Sequence, residues 1–191
     1  MKGDFAEVDG KWRPDMTTHT GETSEPRALR LGYGDTALGI IAVAESEFGI
    51  TALFIGDGRA ELLRDLKGAF PGTEFVLDQA NMAATIAKAA ALIDAPQLGT
   101  DLRLDLRGSP LEIAVWRALQ AIPSGETRTY GAIARDLPIT ATAQDVGAAC
   151  AANRIAVAVP CHRVVKADGS ISGYRWGVQR KRRLINMEGV A

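Results

Sequence analysis

The chain has 191 residues, 47% hydrophobic and 24% charged, with a mean hydropathy of zero, and its formal charge of −1 divides unevenly, since residues 1–106 carry 10 Lys/Arg against 17 Asp/Glu and residues 107–191 carry 12 against 6. Those are ordinary globular values for one large domain or two small ones; no apolar run nears the roughly 20 residues of a membrane helix, and the polar start is unlike a signal peptide, so no membrane or exported protein is expected. The basic second half suits a polyanionic partner unless the split is chance, while the acidic first half argues against a nonspecific nucleic-acid coat.

In chain order, residues 1–27 are polar and broken by turn residues, without helical or strand period, and read as a flexible leader with no catalytic groups. From Ala28 the runs ALRLGYG, ALGIIAVAES and FGITALFIG, separated by turn residues such as Gly34-Asp35, predict an antiparallel meander. Leu62, Leu63 and Leu66 predict a helix over about 59–70, and an alanine-rich stretch predicts another over about 79–94. Leu102, Leu104 and Leu106 alternate with charged residues as in a half-buried strand, closing a small α+β domain over 28–106.

Residues 107–191 read as mostly helical. Ser109, Pro110 and Glu112 supply the N-cap, first position and capping-box partner of a helix with Ile113, Trp116, Ala118 and Leu119 on its apolar face. Tyr130–Asp136 predicts a short helix, Leu137-Pro138-Ile139 a turn, and Thr140 or Thr142 the cap of a further helix to about Ala152. Helix, turn, helix in a basic half resembles a helix-turn-helix. The small residues of AQDVGAACAAN allow close approach to a groove, and allow close helix packing equally well.

The stretch Ile155 to Val165 carries the chemistry: an apolar segment that would otherwise be a buried strand is interrupted by Pro160-Cys161-His162-Arg163. A thiol attacks as thiolate, which a base such as His162 or a charge such as Arg163 would favour. Neighbours on an extended chain point apart, so a turn or a water must join Cys161 to His162; the bland alternative is an inert buried thiol beside a surface histidine. Cys150, among alanines, reads as a small core residue. Two cysteines and two histidines, with His19 in the leader, supply neither a disulfide framework nor an ordinary zinc site.

Pro160-Cys161-His162-Arg163-Val164 resembles the active-site signature of the O6-alkylguanine-DNA alkyltransferases, and Ser172-Gly173-Tyr174-Arg175-Trp176-Gly177 is similar to the C-terminal domain of bacterial Ada proteins. Asn153, eight residues before Cys161, Tyr130, thirty-one before, and Glu188, twenty-seven after, match the same pattern. The resemblance implies a ribonuclease H-like domain at 28–106, then a winged helix-turn-helix-like domain at 107–191 that binds DNA and carries the reaction. It implies single-turnover transfer of a methyl or other small alkyl group from O6-alkylguanine, and from O4-alkylthymine, to Cys161, without cofactor or metal. His162 would take the thiol proton through a water, Glu188 would orient the imidazole, Asn153 would hold the turn, and Tyr130 would push the 3′ phosphate and protonate the leaving base. Tyr174, Trp176, Pro160 and Val159 would wall the pocket. Gln144, Gly147, Ala148 and Ala151 would meet DNA from the minor groove, Arg128, Arg135, Arg154, Arg163, Lys166 and Arg175 would be candidate phosphate contacts, though each alone is more often a solvated charge, and Arg180 to Arg183 would lie on an exposed helix face.

The expected partner is double-stranded DNA holding O6-alkylguanine, with the lesion flipped out of the stack, and the expected form is a cytoplasmic monomer, nucleoid-associated when bound. The alternative is a lesion-recognising DNA-binding protein with little or no transfer; autonomous transcriptional control is not expected. Three positions depart from the family pattern. Gln144 replaces an intercalating arginine, which predicts weaker duplex binding or slower repair, with Asp145 beside it either repelling phosphates or capping the helix. Leu111 replaces an aromatic. Trp176 replaces a glycine and is expected to narrow the pocket against benzyl groups.

Overall fold

A computed structural model describes residues 26–189 and three short segments before them, β1 (Ala6–Val8), β2 (Lys11–Arg13) and β3 (Thr18–Thr20). The expected meander is present as β4 (Ala28–Thr36), β5 (Gly39–Ser46) and β6 (Gly49–Gly56), consecutive and antiparallel. Helix α1 (Arg59–Ala69) follows, then β7 (Glu74–Leu77), α2 (Ala83–Asp94) and β8 (Leu104–Leu106). The sheet runs β3-β8-β6-β5-β4-β7, with both outer additions parallel to their neighbours. Two alternate glycines of β4 bring α2 close: a Cβ on Gly32 would stand 2.4 Å from Ile86 Cδ1, and one on Gly34 2.7 Å from Ile86 Cγ2.

Three expectations change. The leader contains short strands, of which β3 pairs with β8 as an edge of the sheet. Its polar sequence hides this because an edge strand needs only backbone partners on one side. Strand β7, without alternation, is likewise fixed by its ladder to β4. Strand β8 is buried along its whole length rather than half-buried, Asp105 included, because Ser46 Oγ (2.7 Å) and Arg107 Nε (2.9 Å) donate to that carboxylate.

The second half contains α3 (Pro110–Gln120), β9 (Arg128–Thr129), α4 (Tyr130–Asp136), α5 (Ala143–Ala152), β10 (Val164–Val165) and α6 (Val178–Met187). The chain is thus a mixed α+β structure of six α-helices among the described residues. Buried apolar side chains from both halves form one contiguous cluster. The join is made by backbone: Leu53 N–H of β6 donates to Arg154 O and Ala156 N–H donates to Leu53 O, each at 2.9 Å. The first half therefore grips the segment that leads to Cys161. No helix among the described residues is long and apolar enough to cross a membrane.

Candidate active site

Local sequence sets both helices that frame the site. Ser109 and Glu112 close the expected capping box on α3. Thr142, not Thr140, caps α5, and Asp145 completes its box by accepting from Thr142 N at 2.8 Å. Asp145 is thereby committed to the cap and to the positive helix start, which resolves the alternative of free phosphate repulsion. The exposed side of α5 presents Gln144, Ala148 and Ala151 with half-buried Gly147 beside them, while Val146 and Ala149 face the core.

Beyond α5 the chain does not run on as a strand. Asn153, buried at the helix end, donates from Nδ2 to Val159 O at 2.9 Å and to Cys161 Sγ at 3.2 Å, and its Oδ1 accepts from Ile155 N at 2.8 Å. Those bonds fold residues 153–161 into a loop. Within it, Ala158 N–H donates to Ala156 O at 2.7 Å, a γ-turn centred on Val157 at φ +65°. A β-branched residue there is strained by about 1–3 kcal/mol. Pro160, at φ −82° and ψ 58°, centres an inverse γ-turn closed by Cys161 N–H to Val159 O at 2.8 Å. A 3₁₀ turn over Cys161–Arg163 then supplies the turn that adjacent cysteine and histidine require.

Cys161 lines a cavity of about 340 Å³ with Tyr130, Gly147, Cys150, Ala151, Gly173, Tyr174 and Arg175. Burial pushes its thiol up to about 11, and the Asn153 hydrogen bond and the charges of Lys181 and Arg175 bring it only part of the way back. The sulfur therefore waits as neutral thiol, the form from which His162 is expected to take the proton. One cause is that Arg163 is elsewhere. Its Nε and Nη2 grip both oxygens of Glu188, at 3.1 and 2.8 Å, and its Nη1 donates to Ile122 O.

Glu188 also meets His162 Nε2 at 3.0 Å. An ionised carboxylate only accepts, so Nε2 carries the proton and Nδ1 holds a lone pair, buried and without a partner. Burial lowers the histidine's affinity for a second proton, against the pull of Glu188. Burial would raise the Glu188 carboxyl, yet hydrogen bonds from His162 and Arg163 hold it below its ordinary value. The result is a neutral imidazole, fixed in tautomer and orientation, with its basic nitrogen free beside the thiol turn.

A second chain of polar groups enters from α6. Lys181, fully buried, donates from Nζ to Val164 O at 2.6 Å and to Ser172 Oγ at 2.9 Å, and Ser172 Oγ shares a hydrogen bond with Tyr130 OH in the cavity wall. Burial lowers the lysine and raises the tyrosine. Sequence reading gives neither Lys181 nor Ser172 a role at the site, and the basic run was expected to be exposed. A signal exists: Lys181, Leu184, Ile185 and Glu188 fall at helical spacing, so one stripe of α6 holds them all.

Cys161, His162, Glu188, Asn153, Tyr130 and Tyr174 are brought together as expected. Cys150 is corrected from core filler to cavity wall, its thiol pushed up to about 12 by burial. Arg163 is corrected from phosphate contact to buried clamp. Pro160 and Val159 are buried behind the cysteine rather than lining the cavity. Trp176 does not narrow it: the indole stands a layer back, 5.1 Å from the Tyr174 ring and 5.9 Å from that of Phe54, centroid to centroid. Arg128 pairs with Asp136 and Arg135 is exposed, and neither lines the cavity. Leu111 packs, partly buried, against the core.

Residues 110–190 match the family described as 6-O-methylguanine DNA methyltransferase, DNA binding domain. The Escherichia coli "Bifunctional transcriptional activator/DNA repair enzyme Ada" is 39% identical over 170 residues, 89% of this chain and 47% of that protein. The inducible methylated-DNA–protein-cysteine methyltransferase of Bacillus subtilis is 34% identical over 128 residues, 67% of this chain and 72% of that protein. Mycobacterium tuberculosis OGT, solved in complex with DNA, superposes with a TM-score of 0.68 at 33% identity, covering 83% of this chain and 92% of that one. The chain spans about half the length of the Ada proteins of Escherichia coli and Salmonella typhimurium that it matches. Sequence, fold and the thiol–imidazole–carboxylate geometry agree, and the chain belongs to the methylated-DNA–protein-cysteine methyltransferase family.

Proposed function

We propose that the protein repairs DNA by moving a methyl or other small alkyl group from O6-alkylguanine, and from O4-alkylthymine, onto Cys161, once per molecule. The observation that carries this reading is a buried thiol at a cavity large enough for a base, next to an imidazole whose free nitrogen is Nδ1 and whose other nitrogen is held by Glu188. In the reaction a water relays the Cys161 proton to His162 Nδ1 and the sulfur attacks the alkyl carbon. The S–C bond forms as the C–O6 bond breaks, and the departing guanine takes a proton from Tyr130 OH. His162 becomes an imidazolium that Glu188 stabilises. Nothing in this machinery hydrolyses a thioether, so the protein is consumed, and no cofactor enters any step.

A base inside a duplex cannot reach this thiol, so the nucleotide is flipped. A ribonuclease H-like first half and a winged helix-turn-helix-like second half divide the work, residues 107–191 binding and reacting while residues 28–106 hold the loop, a reading supported by the backbone bonds of Leu53 to Arg154 and Ala156. Helix α5 enters the minor groove with Gly147, Ala148 and Ala151, and Gln144 fills the gap left by the flipped base. Double-stranded DNA is the partner, met by a cytoplasmic monomer that joins the nucleoid when bound. Arg154 is a backbone contact.

Intact-mass measurement after incubation with a duplex carrying one O6-methylguanine tests the reading. Wild type and Cys150→Ser gain one methyl, and Cys161→Ser gains none. Duplex binding without any mass change would instead support the lesion-recognising alternative.

A further inference from the structure

Arg175 also lines a second cleft, of about 390 Å³, with Phe54, Arg64, Asp65, Gly68, Ala69 and Trp176. It opens between α1 of the first half and the Arg175–Trp176 segment of the second. Arg175 belongs to both cavities: its Nη1 donates to Ala151 O at the end of α5 at 3.1 Å, and its guanidinium stands 5.1 Å from the centroid of Phe54. Arg154, which follows the same helix end, stands over Phe70 at 4.3 Å. A guanidinium laid on a ring can still donate from its N–H edge to an in-plane acceptor, as Arg175 does to Ala151 O. The two arginines are also close enough for the charge of one to disfavour the other.

Ala151 of the exposed α5 face and Arg175 both line the Cys161 cavity, and Arg175 and Arg64 of α1 both line the cleft, so the two share a wall at Arg175. A DNA strand whose nucleotide has entered the cavity therefore meets Arg175 first and the cleft next. We propose that this cleft is a DNA backbone contact on the first half of the chain, in which Arg64 and Arg175 take a phosphate flanking the flipped nucleotide. The first half then serves in binding as well as support. Asp65 is the opposing charge in the same wall and limits the affinity. This inference rests on duplex DNA being the partner proposed above.

Arg64 and Asp65 are both exposed, so neutral replacements leave the core untouched. Duplex binding is measured from low to moderate salt for Arg64→Gln and Asp65→Asn, alongside the rate of transfer from the free base O6-methylguanine, which has no backbone. Arg64→Gln is expected to weaken duplex binding about fivefold at low salt and to reduce the salt slope by about one counterion, and Asp65→Asn to tighten binding, both with free-base transfer unchanged. Wild-type duplex binding with an unaltered Arg64→Gln isotherm overturns the cleft alone. Absence of wild-type duplex binding overturns the cleft and the functional reading together.

Discussion

Replacing Arg163 by methionine separates its two possible roles. In a phosphate contact, loss of the charge would weaken DNA binding and leave the fold alone. In the buried clamp, the change strips Glu188 of the donors at 2.8 and 3.1 Å and leaves its fully buried carboxylate with one neutral imidazole donor. An uncompensated buried charge costs about 3–5 kcal/mol, and the orphaned carbonyl of buried Ile122 adds about 1–3 kcal/mol. The two overlap, so a loss of about 4–6 kcal/mol is expected, a large part of the roughly 5–15 kcal/mol that holds a domain together. Urea denaturation at neutral pH measures it. The double variant Arg163→Met/Glu188→Gln, which removes both charges, recovers much of the loss, and the cycle gives a coupling of several kcal/mol. A loss below about 1 kcal/mol, with a reduced salt slope for duplex binding, would refute the inward clamp.

Asn153→Ala removes three buried bonds and is expected to cost about 2–4 kcal/mol by thermal or urea unfolding, since Val159 O and Ile155 N–H lose their partner; a loss below about 1 kcal/mol would mean that the loop is held by packing. Native His162 resists its second proton while the unfolded chain accepts one near pH 6.5, so the folded state binds fewer protons and stability falls as pH drops from about 7 toward 5, by up to about 1.4 kcal/mol per unit. Glu188 adds its own loss as pH falls through its unfolded value near 4.5. His162→Gln flattens the upper part of that profile, and an unchanged slope would contradict a buried neutral imidazole. Gln144→Arg, on the exposed start of α5, is expected to tighten duplex binding several-fold through added charge and a stacking plane, read in a binding isotherm; no gain in affinity or transfer rate would remove Gln144 from the interface.

Legibility in the sequence followed the range of the interaction. The meander and the capping box of α3 are set by residues a few positions apart and stand where pattern reading put them, while the structure decides between the open alternatives at α5 for Thr142 and Asp145. Spacing around Cys161 located Asn153, Tyr130 and Glu188 because a known motif carried the long-range information. What the sequence concealed is tertiary. Arg163 turns inward only because Glu188, twenty-five residues on, reaches it, and Lys181 is buried only because Val164 O and Ser172 Oγ accept its protons. Both look like solvated charges in a basic half. Cys150 reaches the cavity because the exposed edge of α5 forms its rim, which an alanine-rich neighbourhood does not reveal. The stretch 155–165 reads as a strand since apolar content says nothing of the Asn153 bonds that coil it.

Under the proposed function, Cys161 rests as a neutral thiol and gives up its proton to His162 when a lesion is bound. Titrating the thiol of Cys161 by thiolate absorbance, in the Cys150→Ser variant and without DNA, tests this most directly. A midpoint well above the ordinary thiol range, toward 11, is predicted. A midpoint below neutrality would show a standing thiolate and contradict it.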